Sequence, residues 1–544
     1  MIEPRDLTVA PGNIAATLTA MASRQPDALA IVHPARGAQL TFRELDADTD
    51  RIARGLRSSG LRRGARVAVM VKPGIDFFAV MFGLFKAGLV PVMIDPGIGL
   101  KPLKTCLAEA EPEAFIGIPA AQAARIVLGW ARRSIREVIT VGPRYLWGGR
   151  TLDQIRRLGA QGDPVMEATT RDEIAAILFT SGSTGIPKGA IYRHGNFIAQ
   201  VEMIRQTYGI APGEVDLPTF PPFALFDPAL GMTTIVPDMD ASRPGSVNPE
   251  MLVELLERFH VTNMFGSPAV LNRLVGLGRP LPKTLRRVLS AGAPVRPAIL
   301  DGMKKILPPD VQVFTPYGAT ESLPVASIGS AEILSDTRYR TDEGAGICVG
   351  RPVDGVQVSI VGISDEPILR WQDARLLKTG EVGEIVVRSP TVTSGYFRRD
   401  QQTALAKISG PNGEVAHRMG DVGFFDDAGR LWYCGRKSHR VVLPETTLFT
   451  EQVEGIFNAA TGLRTALVSI QRDGAVVPVI CLEWDGVKPR LDGDSLLQDV
   501  ARKHPLVKPV RRVLNHIGRF PVDIRHNAKI FREQLAVWAA RQPA

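Results

Sequence analysis

The stretch Leu178–Gly189, LFTSGSTGIPKG, constrains this chain more than any other twelve residues in it. An apolar, strand-like run stops abruptly in Thr, Ser and Gly and closes on Lys188. Gly182, Gly185 and Gly189 permit positive φ and let the backbone come close to a ligand. Successive amides in such a loop form an anion-binding concavity. The hydroxyls of Thr180, Ser181, Ser183 and Thr184 add donors, and Lys188 adds a charge. This is phosphate-cradling chemistry, but it is not a Walker A loop. GxxxxGK[ST] begun at Gly182 needs glycine at 187, where Pro187 stands. A solvent loop has no use for this hydroxyl density between a buried strand and a lysine.

The rest of the chain sets that loop in an α/β framework. Ala65–Val71 reads as a strand, Phe77–Lys86 as a helix and Leu89–Ile94 as another strand. Ile174–Phe179, Val261–Phe265 and Arg287–Leu289 continue the strand series. Strands and helices alternating at this spacing predict largely parallel sheets. Near Gly380–Arg388 and Gly423–Tyr433 the texture changes to short alternating strands with Asp-Gly-type turns, which suggests a small antiparallel sheet or distorted barrel. After Gly435-Arg436-Lys437 a fresh α+β pattern of about a hundred residues begins, which places a boundary at Lys437. The expected architecture has a large N-terminal domain, residues 1–436, built from two α/β subdomains with mostly parallel sheets plus the small barrel. A small mobile α+β C-terminal domain, residues 437–544, follows.

Composition narrows the function classes. A hydrophobic fraction of 45% with 22% charged residues excludes disorder, collagen and coiled coil. The net charge of +9 suits anionic small molecules, yet no basic run is dense enough to argue for nucleic acid. Cys106, Cys348, Cys434 and Cys481 form no CxxC pair, so they read as thiols of a reducing cytoplasm. The start MIEPRD carries acids where a secretory signal carries bases, and the end RQPA carries no lipidation signal. The most membrane-like segment, Phe77–Ile94, is interrupted by Lys86, Gly88 and Pro91. It reads as a buried helix and strand rather than a span. A soluble cytoplasmic protein is expected.

STGIPKG resembles the signature loop of the adenylate-forming superfamily, which includes acyl-CoA synthetases, luciferases and the adenylation domains of peptide synthetases. Other segments match in the family's order: Leu84–Pro96, SAGAPV (Ser290–Val295), YGATE (Tyr317–Glu321), MGDVG (Met419–Gly423), Gly435-Arg436 before the hinge, and AKIFR (Ala528–Arg532). The resemblance implies ATP and Mg²⁺ as cofactors and an acyl-AMP intermediate. It implies adenine stacked on Tyr317, with Gly292, Ala293, Pro294 and Gly318 allowing close backbone approach. Asp421 has two acceptor oxygens for the two ribose hydroxyls, and Arg436 could brace the same ribose. Glu321 is a hard oxygen ligand for Mg²⁺, and Thr320 can donate to the α-phosphate. The catalytic set is Lys188, Thr184, Glu321 and Lys529, with Lys529 offsetting charge that builds up in the transition state. The family's glycine before that lysine is here Ala528.

Two departures narrow the reaction. Thioester-forming members carry a hinge segment like GRxDDxIKxxGxRIxPxEVE, whereas Gly435–Glu454 reads GRKSHRVVLPETTLFTEQVE. The acid pair becomes Ser438 and His439, the loop glycine becomes Glu445, and the later Arg and Pro become Thr447 and Thr450. Where those members carry an aromatic-His step, Pro221–Phe226 reads PPFALF, with Ala224 in the His position. The combination resembles the olefin β-lactone synthetases. That resemblance implies adenylation of a 2-alkyl-3-hydroxy fatty acid, then attack by its own β-hydroxyl to give a β-lactone. Tethering the nucleophile replaces a second substrate. His439 is chemically suited to take the hydroxyl proton, although a hinge or surface histidine is the ordinary reading of such a residue. Phe223, Ala224, Leu225, Phe226 and Gly266 fall in apolar segments that suit an acyl pocket and would equally suit a core. A fatty acyl-CoA or acyl-carrier ligase is the alternative activity. A non-catalytic nucleotide-binding component of an assembly is the third reading, and the intact set of Lys188, Glu321, Asp421 and Lys529 argues against it. Likeness to the olefin pathway also implies association with its thiolase-like, α/β-hydrolase and reductase partners.

Overall fold

A computed structural model of the chain describes residues 12–180, 187–484, 486, 491–522 and 530–543, with side chains undescribed at 221–223. Two large sheets carry the first four-fifths of the chain. The first runs Arg150–Thr151, Glu137–Thr140, Ala114–Gly117, Arg66–Met70, Val90–Met93, Ile174–Phe179 and Gly189–Arg193 in spatial order. All of its neighbours are parallel except the last pair. Its central strands Ala114–Gly117, Val90–Met93 and Ile174–Phe179 are apolar on both faces, as a sheet sandwiched between helices requires. Val67 and Val69 pack into one core and Ala68 into another, following the two-residue period of a strand.

The most apolar segment becomes the helix Ile75–Lys86 and the strand Val90–Met93. Every residue from Phe77 to Lys86 is buried. Buried Lys86 is paired there, its Nζ donating to Asp46 and Asp50, each at 2.7 Å. Among the described residues, no helix is long and apolar enough to cross a membrane.

The second sheet has fourteen strands. Val215–Pro218, Asn263–Phe265, Arg287–Leu289 and Gln312–Ala319 lie parallel. From there the sheet turns antiparallel through Ser322–Gly329 and Ile347–Pro352 into Leu431–Arg436, Val415–Phe425, Gly383–Arg388 and Gln357–Val361. The short strands expected as a small antiparallel sheet or barrel are present, joined to the parallel strands through Ile347–Pro352.

Beyond Lys437 come the hairpin Val441–Val442/Thr447–Leu448 and a three-stranded sheet of Thr465–Arg472, Ala475–Trp484 and Arg512–Ile517. Helices Thr450–Thr461 and Arg532–Ala540 pack on it. Cores around Phe457 and Ile480, and around Phe520 and Leu535, belong to residues of this segment. Helix Thr450–Thr461 also lies close to the large part, where a Cβ at Gly455 would stand 2.4 Å from the Thr341 carbonyl oxygen.

Candidate active site

The strand ends of both sheets converge on one cavity of about 2410 Å³. Thr180 leaves the first sheet at the end of Ile174–Phe179, and its N–H donates to the Lys188 carbonyl at 2.9 Å. Ser181, Gly182, Ser183, Thr184 and Gly185 lie outside the described residues, as does Lys529.

Lys188 reaches the cavity with its Nζ 5.0 Å from the centroid of the Tyr396 ring. The Tyr396 hydroxyl donates to Glu321 Oε1 at 2.6 Å, a short charge-assisted bond. Thr320 and Glu321 form the two-residue turn between Gln312–Ala319 and Ser322–Gly329, where Ala319 pairs with Ser322. A tight hairpin turn projects its side chains away from the sheet, here into the cavity. The Glu321 backbone is held as well, its carbonyl accepting from the Thr393 N–H at 2.9 Å. Buried Lys407 donates to Thr393 Oγ1 at 3.2 Å, and burial pulls its ammonium down to about 7. The Tyr192 hydroxyl donates to the Thr320 carbonyl.

A second group sits across the cavity. The Tyr317 hydroxyl donates to Asp421 Oδ2 at 2.7 Å, and Arg436 Nη1 lies 2.9 Å from Asp421 Oδ1. Asp421 and Arg436 face each other in register on adjacent strands, so the pairing follows from the sheet. Burial, then the Asp421 charge, raises the Tyr317 phenol, so it stays protonated and donates. The same carboxylate raises Arg436. A carboxylate offers about four lone-pair sites, so Asp421 can accept from ribose hydroxyls while holding both neighbours. Gly292, Ala293 and Pro294 line the wall after Arg287–Leu289, with Gly292 at φ +91°, a conformation that favours glycine.

Leu225 and Phe226 also line the cavity, and Phe226 packs on Phe197 at 4.9 Å between ring centroids. Ala224 and Gly266, expected in the same wall, are not among the lining residues. Ala224 is 1% exposed within the core, and a side chain at Gly266 would meet Leu271, Met264 and Val270. The Phe223 side chain is outside the described residues.

The segment around Lys437 is heavily bonded. Lys437 Nζ donates to the Ser364 carbonyl at 2.7 Å and lies 3.2 Å from Glu384 Oε1. Glu384, only 1% exposed, also pairs with Arg418 at 2.6 Å. Arg440 pairs with Asp365. Gly435 has φ +127°, and a Cβ there would lie 2.1 Å from Thr450 Oγ1. Glu445 is exposed in the turn of the short hairpin. His439 lines the cavity with Nε2 3.6 Å from Glu533 Oε1, and burial, then Arg532, pulls it down to about 4. Arg532, the described end of AKIFR, donates to Glu454 at 2.7 Å.

Sequence reasoning missed Tyr396, Lys407 and Thr393. Tyr396 stands 75 residues from Glu321, and no spacing rule connects them.

Comparison with known proteins gives a consistent picture. The AMP-binding enzyme family matches residues 18–397. An olefin beta-lactone synthetase from Stenotrophomonas maltophilia is 50% identical, over 98% of this chain and 99% of its own. Another from Xanthomonas campestris is 51% identical over 97% and 98%. The amide bond synthetase McbA from Marinactinospora thermotolerans superposes with a TM-score of 0.78 at 22% identity, covering 96% of this chain and 99% of its own. ATP-bound MatB from Rhodopseudomonas palustris superposes at 0.77 and 19% identity, over 98% and 99%. These two likenesses speak to the fold. On the family match and on relatives at half identity from end to end, the chain belongs to the AMP-binding enzyme family.

Proposed function

We propose that the protein is an ATP-dependent ligase that converts a 2-alkyl-3-hydroxy fatty acid to a β-lactone. The observation that carries this reading is the end-to-end likeness, at half identity, to the two olefin beta-lactone synthetases. In the first step a carboxylate oxygen attacks the α-phosphorus of ATP, the bond to pyrophosphate breaks, and acyl-AMP forms. In the second, the β-hydroxyl oxygen attacks the acyl carbon, the bond to AMP breaks, and the hydroxyl proton leaves to a base. The products are the lactone, AMP and pyrophosphate.

The residues take these parts. Thr180, the loop 181–186 and Lys188 cradle the phosphates. Tyr317 and the 292–294 segment hold adenine, and Asp421 with Arg436 holds ribose. Thr320 donates to the α-phosphate, and Thr184 and Lys529 act on the adenylation step. Glu321 would hold Mg²⁺, which when bound supplies charge to neutralise the phosphates. The donor set fits that ion: Glu321 lines the cavity with one oxygen accepting a hydrogen bond from the Tyr396 hydroxyl and the other left to face the ion. A lone carboxylate completed by phosphate and water suits Mg²⁺ rather than an all-protein cage. His439, held neutral by its burial, is the candidate proton acceptor.

Supporting the lactone over a thioester are Ser438, His439, Glu445, Thr447 and Thr450 in the hinge segment and the buried Ala224. Residues 437–544 act as a lid hinged at Lys437. The enzyme works in the cytoplasm, where its four free, buried cysteines stay reduced, and it associates with thiolase-like, hydrolase and reductase partners. The test is incubation with ATP, Mg²⁺ and a 2-alkyl-3-hydroxy acid without CoA, followed by mass spectrometry. Lactone and AMP are expected, whereas the matched deoxy acid stalls as a bound adenylate. A thioester formed efficiently from the deoxy acid with CoA, and no lactone from the hydroxy acid, refutes the reading.

A further inference from the structure

Among the described residues, the two large apolar side chains with the most exposed surface are Leu146 at 104% and Val127 at 82%. Tyr145 at 63% and Ile126 at 51% stand next to them in the chain, and none of the four lines the cavity. Ile126 and Val127 belong to helix Pro119–Leu128 and form with exposed Ala123 a stripe at i, i+3 and i+4. The other side of that helix, with Ala121, Ala124 and Leu128, packs on the core around Phe115. Gln122 ties the helix down by donating to the Ile139 carbonyl at 2.9 Å. Tyr145 and Leu146 stand in the loop 141–149, which follows the strand Glu137–Thr140. Trp147 Nε1 donates to Thr140 Oγ1 at 2.9 Å, and Tyr145 lies edge-on to Trp147 at 5.5 Å between ring centroids. Thr140 is in register with Gly117, so its side chain shares the face of Phe115, two residues earlier. The helix stripe and the loop therefore cover the same face of the first sheet.

Charge on this stretch is one-sided. Residues 119–150 hold six arginines and a single acid, Glu137. Arg150 takes that acid at 2.7 Å, and Arg125 lies over the Phe115 ring. Arg132, Arg133 and Arg136 follow the helix, and Arg144 precedes Tyr145. All four are exposed, and no described carboxylate pairs with them. We infer that this face docks on a bilayer with anionic headgroups, Leu146, Tyr145, Val127 and Ile126 entering the interfacial layer while the four arginines meet the lipid phosphates. An aromatic ring with a polar tip suits the headgroup level, and arginine stems lie along apolar surface while their heads stay wet. Uncompensated positive charge around the apolar tips is complementary to an anionic leaflet. Four apolar side chains fall well short of the roughly 20–30 residues that a stable protein interface takes from each partner. Such docking does not depend on which reaction the cavity performs.

The experiment is co-sedimentation of the full chain with vesicles of phosphatidylcholine alone and of equimolar phosphatidylcholine and phosphatidylglycerol. The chain should pellet with the anionic vesicles, pellet much less with the neutral ones, and leave the anionic ones at high salt, which screens surface charge. Arg132→Gln combined with Arg133→Gln should weaken binding about 30-fold, the equivalent of ~1 kcal/mol per arginine near the headgroups. Leu146→Ala should weaken it about tenfold through the loss of a side chain buried on docking. Both variants change exposed side chains only, and a melting profile like the parent's checks that each is folded. A parent chain that stays in the supernatant with anionic vesicles overturns the inference, as does equal binding to the neutral ones. Folded variants that pellet as the parent does overturn it too. An oligomer broken by Leu146→Ala, without vesicle binding, also overturns it and gives the face to a protein partner.

Discussion

Tyr396→Phe removes one oxygen and leaves the ring on which Lys188 rests. The lost bond is the 2.6 Å donation to Glu321 Oε1. Hydrogen bonds to charged groups are worth about 1.5–3 kcal/mol, so kcat/KM for pyrophosphate release should fall about 10- to 150-fold. The half-saturating Mg²⁺ concentration should rise if Glu321 holds the ion as proposed, because that carboxylate has lost the hydroxyl bonded to it. Tyr396→Ala also removes the contact between Lys188 and the ring and should cost about 0.5–2 kcal/mol more. A double-mutant cycle with Glu321→Gln isolates the pair. Read by calorimetry of Mg²⁺-ATP binding, the double variant should cost less than the two single ones together by about 1.5–3 kcal/mol. Additivity within about 0.5 kcal/mol would show that the hydroxyl and the carboxylate act independently when nucleotide is bound, and the reasoning would fail.

Asp421→Ala should weaken AMP or ATP binding by about 1.5–3 kcal/mol in calorimetry; wild-type affinity would remove it from the ribose site. Lys529→Ala should leave ATP binding nearly intact and slow pyrophosphate release about 10²- to 10³-fold, and an unchanged rate would place the terminal lysine outside the chemistry. Buried His194, whose Nδ1 accepts from the Ile14 N–H, is pulled by burial from 6.5 down to about 4. Between those values the unfolded chain binds the extra proton, so stability is full above pH 6.5 and falls as pH drops toward 4. The acid limb of a pH-resolved melting curve should be shallower in His194→Gln; an identical limb would refute the assignment.

The strand Ile174–Phe179 was legible because a continuous apolar run and its abrupt break are local signals. Asp421 and Arg436 were legible as motif residues, but their pairing was not, since it depends on which strands become neighbours. Tyr396 and Lys407 were invisible for a related reason. Their meaning lies in contacts with Glu321 and Thr393 that only the folded chain creates, and neither sits in a periodic pattern. Ala224 and Gly266 show the converse limit. Apolar segments between motifs suit a cavity wall and a core alike, and sequence alone does not say which residue faces the cavity and which the core.

The bonds around Lys437 bear on what it would cost to move the C-terminal segment. Any rotation that draws the Lys437 ammonium away from Ser364 and Glu384 gives up charged hydrogen bonds worth about 1.5–3 kcal/mol. As a Boltzmann ratio, that alone would leave roughly one molecule in ten to one in a hundred and fifty in a rotated pose. An enzyme that must admit a second substrate after adenylation would meet this penalty in every cycle. One whose nucleophile is already inside the acyl group would lose nothing by resting in the single pose that these bonds favour.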